Sequence, residues 1–82
     1  MKRIDFLPAA RDEIRAIAQP IALGILHGIS RYIASGDGDV KVLGGEFRGY
    51  LRLRLGEYRV MFKETSVLFT VYRVRHRKDA YR

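Results

Sequence analysis

The sequence contains no cysteine and only two histidines. Without thiols the chain can form neither a disulfide nor a thiolate metal site, and a reducing cytosol suits it. His27 and His76 lie far apart and no carboxylates cluster, so we expect no metal site and no cofactor. The three serines have no accompanying His/Asp pattern, which argues against a serine triad. No apolar run approaches the roughly 20 residues of a membrane span.

The chain is 82 residues long, which is enough for one domain over residues 1–82. Hydrophobic residues make up 48% of it, so we expect a folded globule and not a disordered basic tail. Charge comes too early at the N-terminus for a signal peptide.

Positive charge is confined to one part of the chain. Residues 1–47 carry six basic and six acidic side chains, whereas residues 48–82 carry ten basic and three acidic ones. The whole formal net charge of +7 therefore falls in the second range. Such asymmetry predicts a face that binds a polyanion, and RNA is the polyanion we expect. A basic surface that only aids solubility is the alternative, and no Lys-rich amphipathic helix indicates a membrane surface.

Periodicity and proline positions predict the order of elements. Residues 2–6 alternate as a short strand does, Pro8 opens a helix over residues 8–18, and Pro20 opens a second over residues 20–34. Residues 35–39 are loop-like, and the chain is β-rich after residue 45. We therefore expect an α+β domain of order β-α-α-β-β-β, with an N-terminal helix hairpin packed on one face of an antiparallel sheet.

Three residues of the second predicted helix have structural interpretations. Gly24 and Gly28 are four residues apart and share one face, where we expect tight packing against the other helix or the sheet. His27 is interpreted as structural.

Alternation in the predicted hairpin separates leucines from arginines. Leu51, Leu53 and Leu55 share one face of the first strand, while Arg52 and Arg54 share the other. Arg59 follows on the neighbouring strand after a short turn, and three more arginines share parity near the third strand. Guanidinium groups grip phosphates and stack on bases. The predicted RNA-binding residues are Arg48, Arg52, Arg54, Lys63, Arg73, Arg75, Lys78 and Arg82.

Metal-free cleavage of RNA would need more than cations. The ribose 2′-hydroxyl must lose a proton to a base, and the leaving oxygen must gain one from an acid. His76 and Tyr81 are the candidates, because nearby positive charge favours neutral imidazole and tyrosinate. Each also has a non-catalytic interpretation: His76 as an ordinary surface residue, and Tyr81 as a residue that only packs near the terminus. From the residues alone, binding and catalysis both stay open.

A family likeness lies in these same segments. The run from Tyr50 to Phe62, YLRLRLGEYRVMF, resembles the central hairpin of the RelE/ParE superfamily of bacterial type II toxins. The ending VRHRKDAYR, residues 74–82, is similar to the tail of its RelE-like branch, and FLPAA at residues 6–10 also matches. The resemblance covers essentially the whole chain. It implies a microbial RNase-like fold and a cytoplasmic, ribosome-dependent endoribonuclease that cleaves mRNA in the A site. The implied partners are mRNA, the ribosome with its 16S rRNA, and a cognate antitoxin.

The resemblance also implies roles for individual residues. Arg59 would contact the scissile phosphate, and Arg77 would stabilise developing charge or help to protonate the leaving oxygen. Tyr81 would transfer a proton or stack on an mRNA base. Where the best-known relatives carry two lysines, this sequence has Tyr50 and Arg52. Since arginine does not readily lose a proton, base duty would pass to Tyr81 or His76.

Two other functions fit the same fold. A ParE-like toxin inhibits DNA gyrase by binding and cuts no RNA. A degenerate RNA-binding module without toxicity is the third possibility. The combination of Arg77 and Tyr81 favours the endoribonuclease.

Overall fold

A computed structural model of the chain describes residues 2–80. Two helices pack on a five-stranded sheet, which confirms the predicted α+β class. The elements are β1 Arg3–Phe6, α1 Pro8–Ala16, α2 Gln19–Ser35, β2 Asp39–Val42, a 3-10 turn Gly45–Phe47, β3 Leu51–Leu55, β4 Tyr58–Glu64 and β5 Leu68–His76. Within residues 2–80, neither helix is long and apolar enough to cross a membrane.

The sheet has the strand order β1-β5-β4-β3-β2. Strand β1 runs parallel to β5, whereas the other three pairs are antiparallel. The expected antiparallel sheet therefore has one parallel pair. It arises because β1 lies beside the last strand, and the intervening helices form part of the long connection that a parallel pair requires.

Strand β2 was not among the predicted strands, because its first residue was assigned to a loop. The strand has only four residues, and at the outer edge of the sheet Val40 is half-buried while Val42 is 74% exposed. So short and exposed an element has too little periodicity to be recognised in the sequence.

Each predicted proline lies in the first turn of its helix, and helix α2 ends for a local reason. At Pro8 and Pro20 the missing N–H therefore costs nothing. Helix α2 ends at Gly36, which has a φ of 77° and donates its N–H to the carbonyl of Tyr32 over 2.7 Å. A residue with a side chain rarely adopts this left-handed conformation, so glycine suits the position.

The main core lies between the helices and one face of the sheet. Its fully buried large side chains include Leu53, Val60, Phe62, Phe69, Val71 and Val74 from the strands and Ile29 from α2. The rings of Phe62 and Phe69 stack with centroids 4.4 Å apart, and Tyr32 meets both edge-on. The alternation predicted for β3 and β4 is confirmed, since the face that carries Leu53 and Val60 is the buried one.

The two helix glycines have different surroundings. A Cβ at Gly28 would lie 2.5 Å from a methyl carbon of Leu55, so α2 approaches β3 closely at this point. A Cβ at Gly24 would meet nothing within 4 Å. The prediction of tight packing is thus confirmed at Gly28 and wrong at Gly24, which is exposed and has open space beside it.

A polar cluster joins the end of β4 to α2. The Tyr32 hydroxyl donates to Glu64 over 2.6 Å, and the ammonium group of Lys2 is paired with the same carboxylate. Burial and then the Glu64 contact raise the pKa of Tyr32 to about 12. Burial alone would raise the pKa of Glu64, but the hydrogen bonds from Lys2 and Tyr32 outweigh it and hold that pKa below its ordinary value.

Candidate functional site

Four basic residues line an open cleft of about 560 Å³ on the sheet face opposite the main core. We call it the arginine cleft, and its residues are Arg52, Arg59, Arg77 and Lys78. Arg52 comes from β3 and Arg59 from β4, while Arg77 and Lys78 follow directly after β5. Alternation aims the strand arginines away from the core, and the register places Arg54 opposite Arg59 and Arg59 opposite Arg75.

Arg52 is held in the cleft by an acid from the edge strand. Its Nη2 atom lies 3.0 Å from Oδ1 of Asp39, and its side chain is only 15% exposed. The Nε atom is buried and has no hydrogen-bond partner among the described residues. Exposed Arg54 lies 3.9 Å from the other carboxylate oxygen of Asp39. One acid therefore orients Arg52 firmly and Arg54 loosely.

Arg77 is held by the acid of the β3–β4 turn. Its Nε atom lies 2.7 Å from Oε2 of Glu57, and its backbone N–H donates to the Glu57 carbonyl over 2.7 Å. The turn itself depends on Gly56, whose φ is 60°. The turn thereby anchors the segment that follows β5 beside the strand arginines.

Arg59 is held differently from its neighbours. Its Nη1 atom donates to the backbone carbonyls of Gly56 over 2.9 Å and Tyr58 over 3.0 Å. These acceptors are neutral, and within residues 2–80 no carboxylate forms an ion pair with Arg59. The guanidinium is thus oriented without being neutralised, which leaves its charge for an anion in the cleft.

His76, a predicted proton-transfer residue, lies on the other side of the sheet. In the register it pairs with Tyr58, whose ring meets the imidazole edge-on at 5.5 Å. Its Nδ1 accepts the backbone N–H of Lys78 over 3.2 Å, and its Nε2 lies 3.9 Å from Glu57. The structure therefore does not bring His76 into the arginine cleft. Tyr81 and Arg82 lie outside the described residues.

Two other predicted RNA-binding residues contact helix α1. Arg73 donates to Glu13 from Nε over 3.1 Å and from Nη2 over 2.7 Å, and Nε of Arg75 lies 3.5 Å from the same carboxylate. The Glu13 hydrogen bond raises the pKa of Arg73 above its ordinary value. Glu13 also accepts the backbone N–H of Val74 over 2.8 Å. Strand β1 does not extend this far along β5, so Glu13 supplies the acceptor that a neighbouring strand would otherwise provide.

The remaining predicted residues lie away from the arginine cleft. Arg48 is exposed at the end of the 3-10 turn. Lys63 is exposed on β4, with its ammonium 4.5 Å from the centroid of the Tyr50 ring. Within the described part of the chain, no three histidine or acidic side chains come together as a metal site.

Sequence reasoning missed the acids that organise these arginines. Glu13, Asp39 and Glu57 come from α1, β2 and a turn, and each approaches arginines far along the chain or on another strand. Asp39 had a usable signal, because recognising β2 would have placed it opposite Arg54 in the register. The contacts of Glu13 had none, since about 60 residues separate it from its partners.

No family model matches the sequence, and no curated protein matches it either. Solved structures do match. A chain of the RelB–RelE antitoxin–toxin complex from Methanococcus jannaschii superposes with a TM-score of 0.71 at 23% identity, over 94% of each chain. A chain of the RelBE2 toxin–antitoxin complex from Mycobacterium tuberculosis gives 0.74 at 22%, over 92% of this chain and 96% of that one. YafQ from E. coli gives 0.75 at 12% over the whole of both chains.

This is the RelE/ParE toxin fold. At these identities the likeness establishes the fold and not the activity. The chemistry available in this chain is that of the four cationic side chains of the arginine cleft.

Proposed function

We propose that this protein is the toxin of a type II toxin–antitoxin pair and a ribosome-dependent endoribonuclease that cuts mRNA in the A site. The observation that carries the proposal is the convergence of Arg52, Arg59, Arg77 and Lys78 in one cleft of a RelE/ParE fold. Solved structures with this fold include toxin–antitoxin complexes, which supports a cognate antitoxin as the partner. The activity is cytoplasmic, where the translating ribosome with its 16S rRNA and mRNA supplies the substrate.

The proposed reaction is an internal transesterification of RNA. The ribose 2′-oxygen forms a bond to the adjacent phosphorus, and the bond from phosphorus to the 5′-oxygen of the next nucleotide breaks. A base takes the 2′-hydroxyl proton, and the leaving 5′-oxygen receives a proton. The products are a 2′,3′-cyclic phosphate and a 5′-hydroxyl end. Negative charge on the phosphoryl oxygens rises towards the transition state, so oriented cations accelerate the step.

Arg59 is proposed to contact the scissile phosphate. Two backbone carbonyls fix its direction without neutralising it, so little reorganisation accompanies phosphate binding. Arg77 is proposed to stabilise the developing charge, and Arg52 to hold a phosphate where relatives have a lysine. Asp39 contacts Nη2 of Arg52 and Glu57 contacts Nε of Arg77, so a phosphate competes with a carboxylate for each guanidinium.

Proton transfer is proposed for Tyr81, because cations close to a phenol favour its ionised form. His76 is not assigned this role, since its ring packs on Tyr58 on the opposite side of the sheet.

The test is a cell-free translation reaction with primer extension on the mRNA. The wild-type protein should produce codon-phased cuts, and Arg59→Ala should reduce their rate about 100-fold or more, since one oriented donor to the reacting phosphate is lost. Arg3→Ala is the matched control, because it removes an exposed arginine of β1 on the far edge of the sheet. It should cut like the wild type, and circular dichroism should show both variants folded.

Other outcomes point to other functions. Intact mRNA together with loss of gyrase supercoiling would establish a ParE-like binding toxin instead. Intact mRNA with normal supercoiling, and with RNA still bound, would indicate a non-toxic RNA-binding module.

A further inference from the structure

A β-bulge changes the face that one tyrosine of β5 presents. Strands β4 and β5 pair regularly as far as Met61 and Arg73, and the pairing resumes at Phe62 and Val71. Tyr72 is the extra residue between these pairs. Val71 and Val74 are both buried in the main core, so the strict alternation of β5 is broken at Tyr72. Bulges commonly redirect a side chain next to a functional site.

The redirected ring joins an aromatic pair with a cation above it. The centroids of Tyr72 and Tyr50 lie 4.9 Å apart with the rings nearly perpendicular. The ammonium of Lys63 lies 4.5 Å from the Tyr50 centroid and 5.6 Å from the Tyr72 centroid. Tyr50 precedes β3 with the parity of Arg52, so this cluster lies on the same side of the sheet as the arginine cleft.

The two rings line a groove of about 500 Å³, which we call the aromatic groove. Its floor and walls include Phe47, Tyr50, Met61 and Tyr72, and its charged residues are Glu46 and Arg73. Arg73 is paired with Glu13, and Glu46 is an exposed acid. Positive charge beside the rings therefore comes from Lys63, which lies over them and not among the residues that line the groove. Met61 pairs with Arg52 in the register, which makes the groove and the arginine cleft direct neighbours.

We propose that the aromatic groove binds an unpaired nucleobase of the RNA whose phosphate occupies the arginine cleft. Every nucleobase has a π-face, and aromatic side chains beside a basic groove form stacking platforms for single strands. Tyr50 and Arg52 are two residues apart on one strand face, about 7 Å, which is within the reach of one nucleotide. A nucleotide combines a flat ring with an anion, and this surface offers rings beside cations at that spacing.

The occupant follows from the cations beside the groove, in the arginine cleft and at Lys63. An apolar peptide segment carries no negative charge to pair with Lys63 or with the four cations of the arginine cleft. A nucleic-acid strand engages both places at once, since its backbone crosses the arginine cleft while one base enters the groove. Its role as a substrate subsite rests on the proposed function, but base binding itself can be measured without cleavage or a ribosome.

The experiment measures the affinity of the folded protein for short single-stranded RNA by fluorescence anisotropy. A fluorescein-labelled oligonucleotide is compared with a series in which one position at a time is abasic, so that the phosphates stay and a single base is absent. In the wild type, one position should cost about tenfold in affinity when abasic. In Tyr72→Leu, which keeps an apolar side chain but loses the π-face, the same abasic position should cost less than about twofold.

Two further variants keep the test decisive. Tyr58→Leu is the matched control, because it removes a half-buried tyrosine on the opposite face of the sheet, and it should retain the full abasic penalty. If Tyr72→Leu fails to fold, Tyr50→Leu carries the same test. A penalty that is equal in the wild type and in the folded groove variant overturns the proposal, as does the absence of any penalty in the wild type.

Failure of this proposal differs from failure of the proposed function. Codon-phased cutting without a groove-dependent abasic penalty would remove the base subsite and leave the endoribonuclease. A groove-dependent penalty without cutting would leave an RNA-binding protein that holds a base in the aromatic groove.

Discussion

Replacing Glu13 should loosen helix α1 from the sheet. The Glu13 carboxylate is 21% exposed and accepts hydrogen bonds from Nε and Nη2 of Arg73 and from the backbone N–H of Val74. Strand β1 pairs only with residues 68–71 of β5, so Glu13 takes the place of a neighbouring strand at Val74. Glu13→Ala removes both kinds of contact at once.

The expected loss can be built from its two parts. The Arg73 side chain is 40% exposed, so its ion pair contributes at most about 1 kcal/mol. The Val74 N–H loses its acceptor on a buried residue, which costs about 1–3 kcal/mol. Glu13→Ala should therefore lower the free energy of unfolding by about 2 kcal/mol, or the Tm by about 8–16 °C in a domain of this size.

Urea and thermal unfolding followed by circular dichroism measure this loss. Glu13→Gln should lose about 1 kcal/mol, because its amide carbonyl still accepts the Val74 N–H while the ion pair is gone. The neighbouring exposed Asp12 supplies the control, and Asp12→Ala should change the free energy of unfolding by about 0.5 kcal/mol or less. Equal stability of Glu13→Ala and Asp12→Ala would refute the reasoning.

Three further predictions concern other regions. Gly24→Ala should raise the free energy of unfolding in urea by up to about 1 kcal/mol, because alanine favours the helix and meets nothing at this position. Gly28→Ala should lower it, because the new Cβ would lie 2.5 Å from a side-chain carbon. Equal effects of the two substitutions would contradict this prediction. Because the pKa of Glu64 is lowered on folding, its carboxylate contributes to the free energy of unfolding at any pH above its unfolded pKa of 4.5. This contribution is lost as the pH falls through the folded pKa. Glu64→Gln should therefore flatten the acid limb of stability measured against pH, and an unchanged limb would show that other groups cause it. Glu57→Gln should tighten RNA binding about twofold to fivefold, because phosphate no longer competes with a carboxylate for Arg77. The charge-matched control is Asp12→Asn, and the gain is measured beyond its effect. Weaker binding by Glu57→Gln would mean that Glu57 preorganises the cleft.

Much of the fold followed from short-range pattern. Each helix has its proline in the first turn, and the β3–β4 hairpin turns at Gly56 as the sequence predicts. The leucine–arginine alternation of β3 separates core from surface because a strand has a period of two. Strand β2 was not predicted because it is short and exposed, and the parallel pairing of β1 was not predicted because its partner β5 is distant in the sequence.

The candidate site could be predicted only in part. Arg52, Arg59 and Arg77 converge as alternation along the strands suggested, and Lys78 joins them from the segment after β5. Arg73 and Arg75, predicted on the same grounds as Arg77, contact α1 instead. The difference is the position of Glu13, which no local pattern reveals. That the roles of the cleft residues include RNA cleavage stays a prediction.

The sequence by itself determined where the charge lies and which strand residues face water. Both properties are local, because side-chain chemistry and a two-residue period need no knowledge of distant segments. Tertiary structure alone decided which arginines in the second half of the chain are held by acids, since each acid lies 13 or more residues along the chain from the arginine that it contacts. It also turned Tyr72 towards the aromatic groove, whereas His76 faces away from the arginine cleft through its alternation with Arg75 and Arg77. These outcomes depend on strand register and on a single bulge, which are set when segments far apart in the chain pack together.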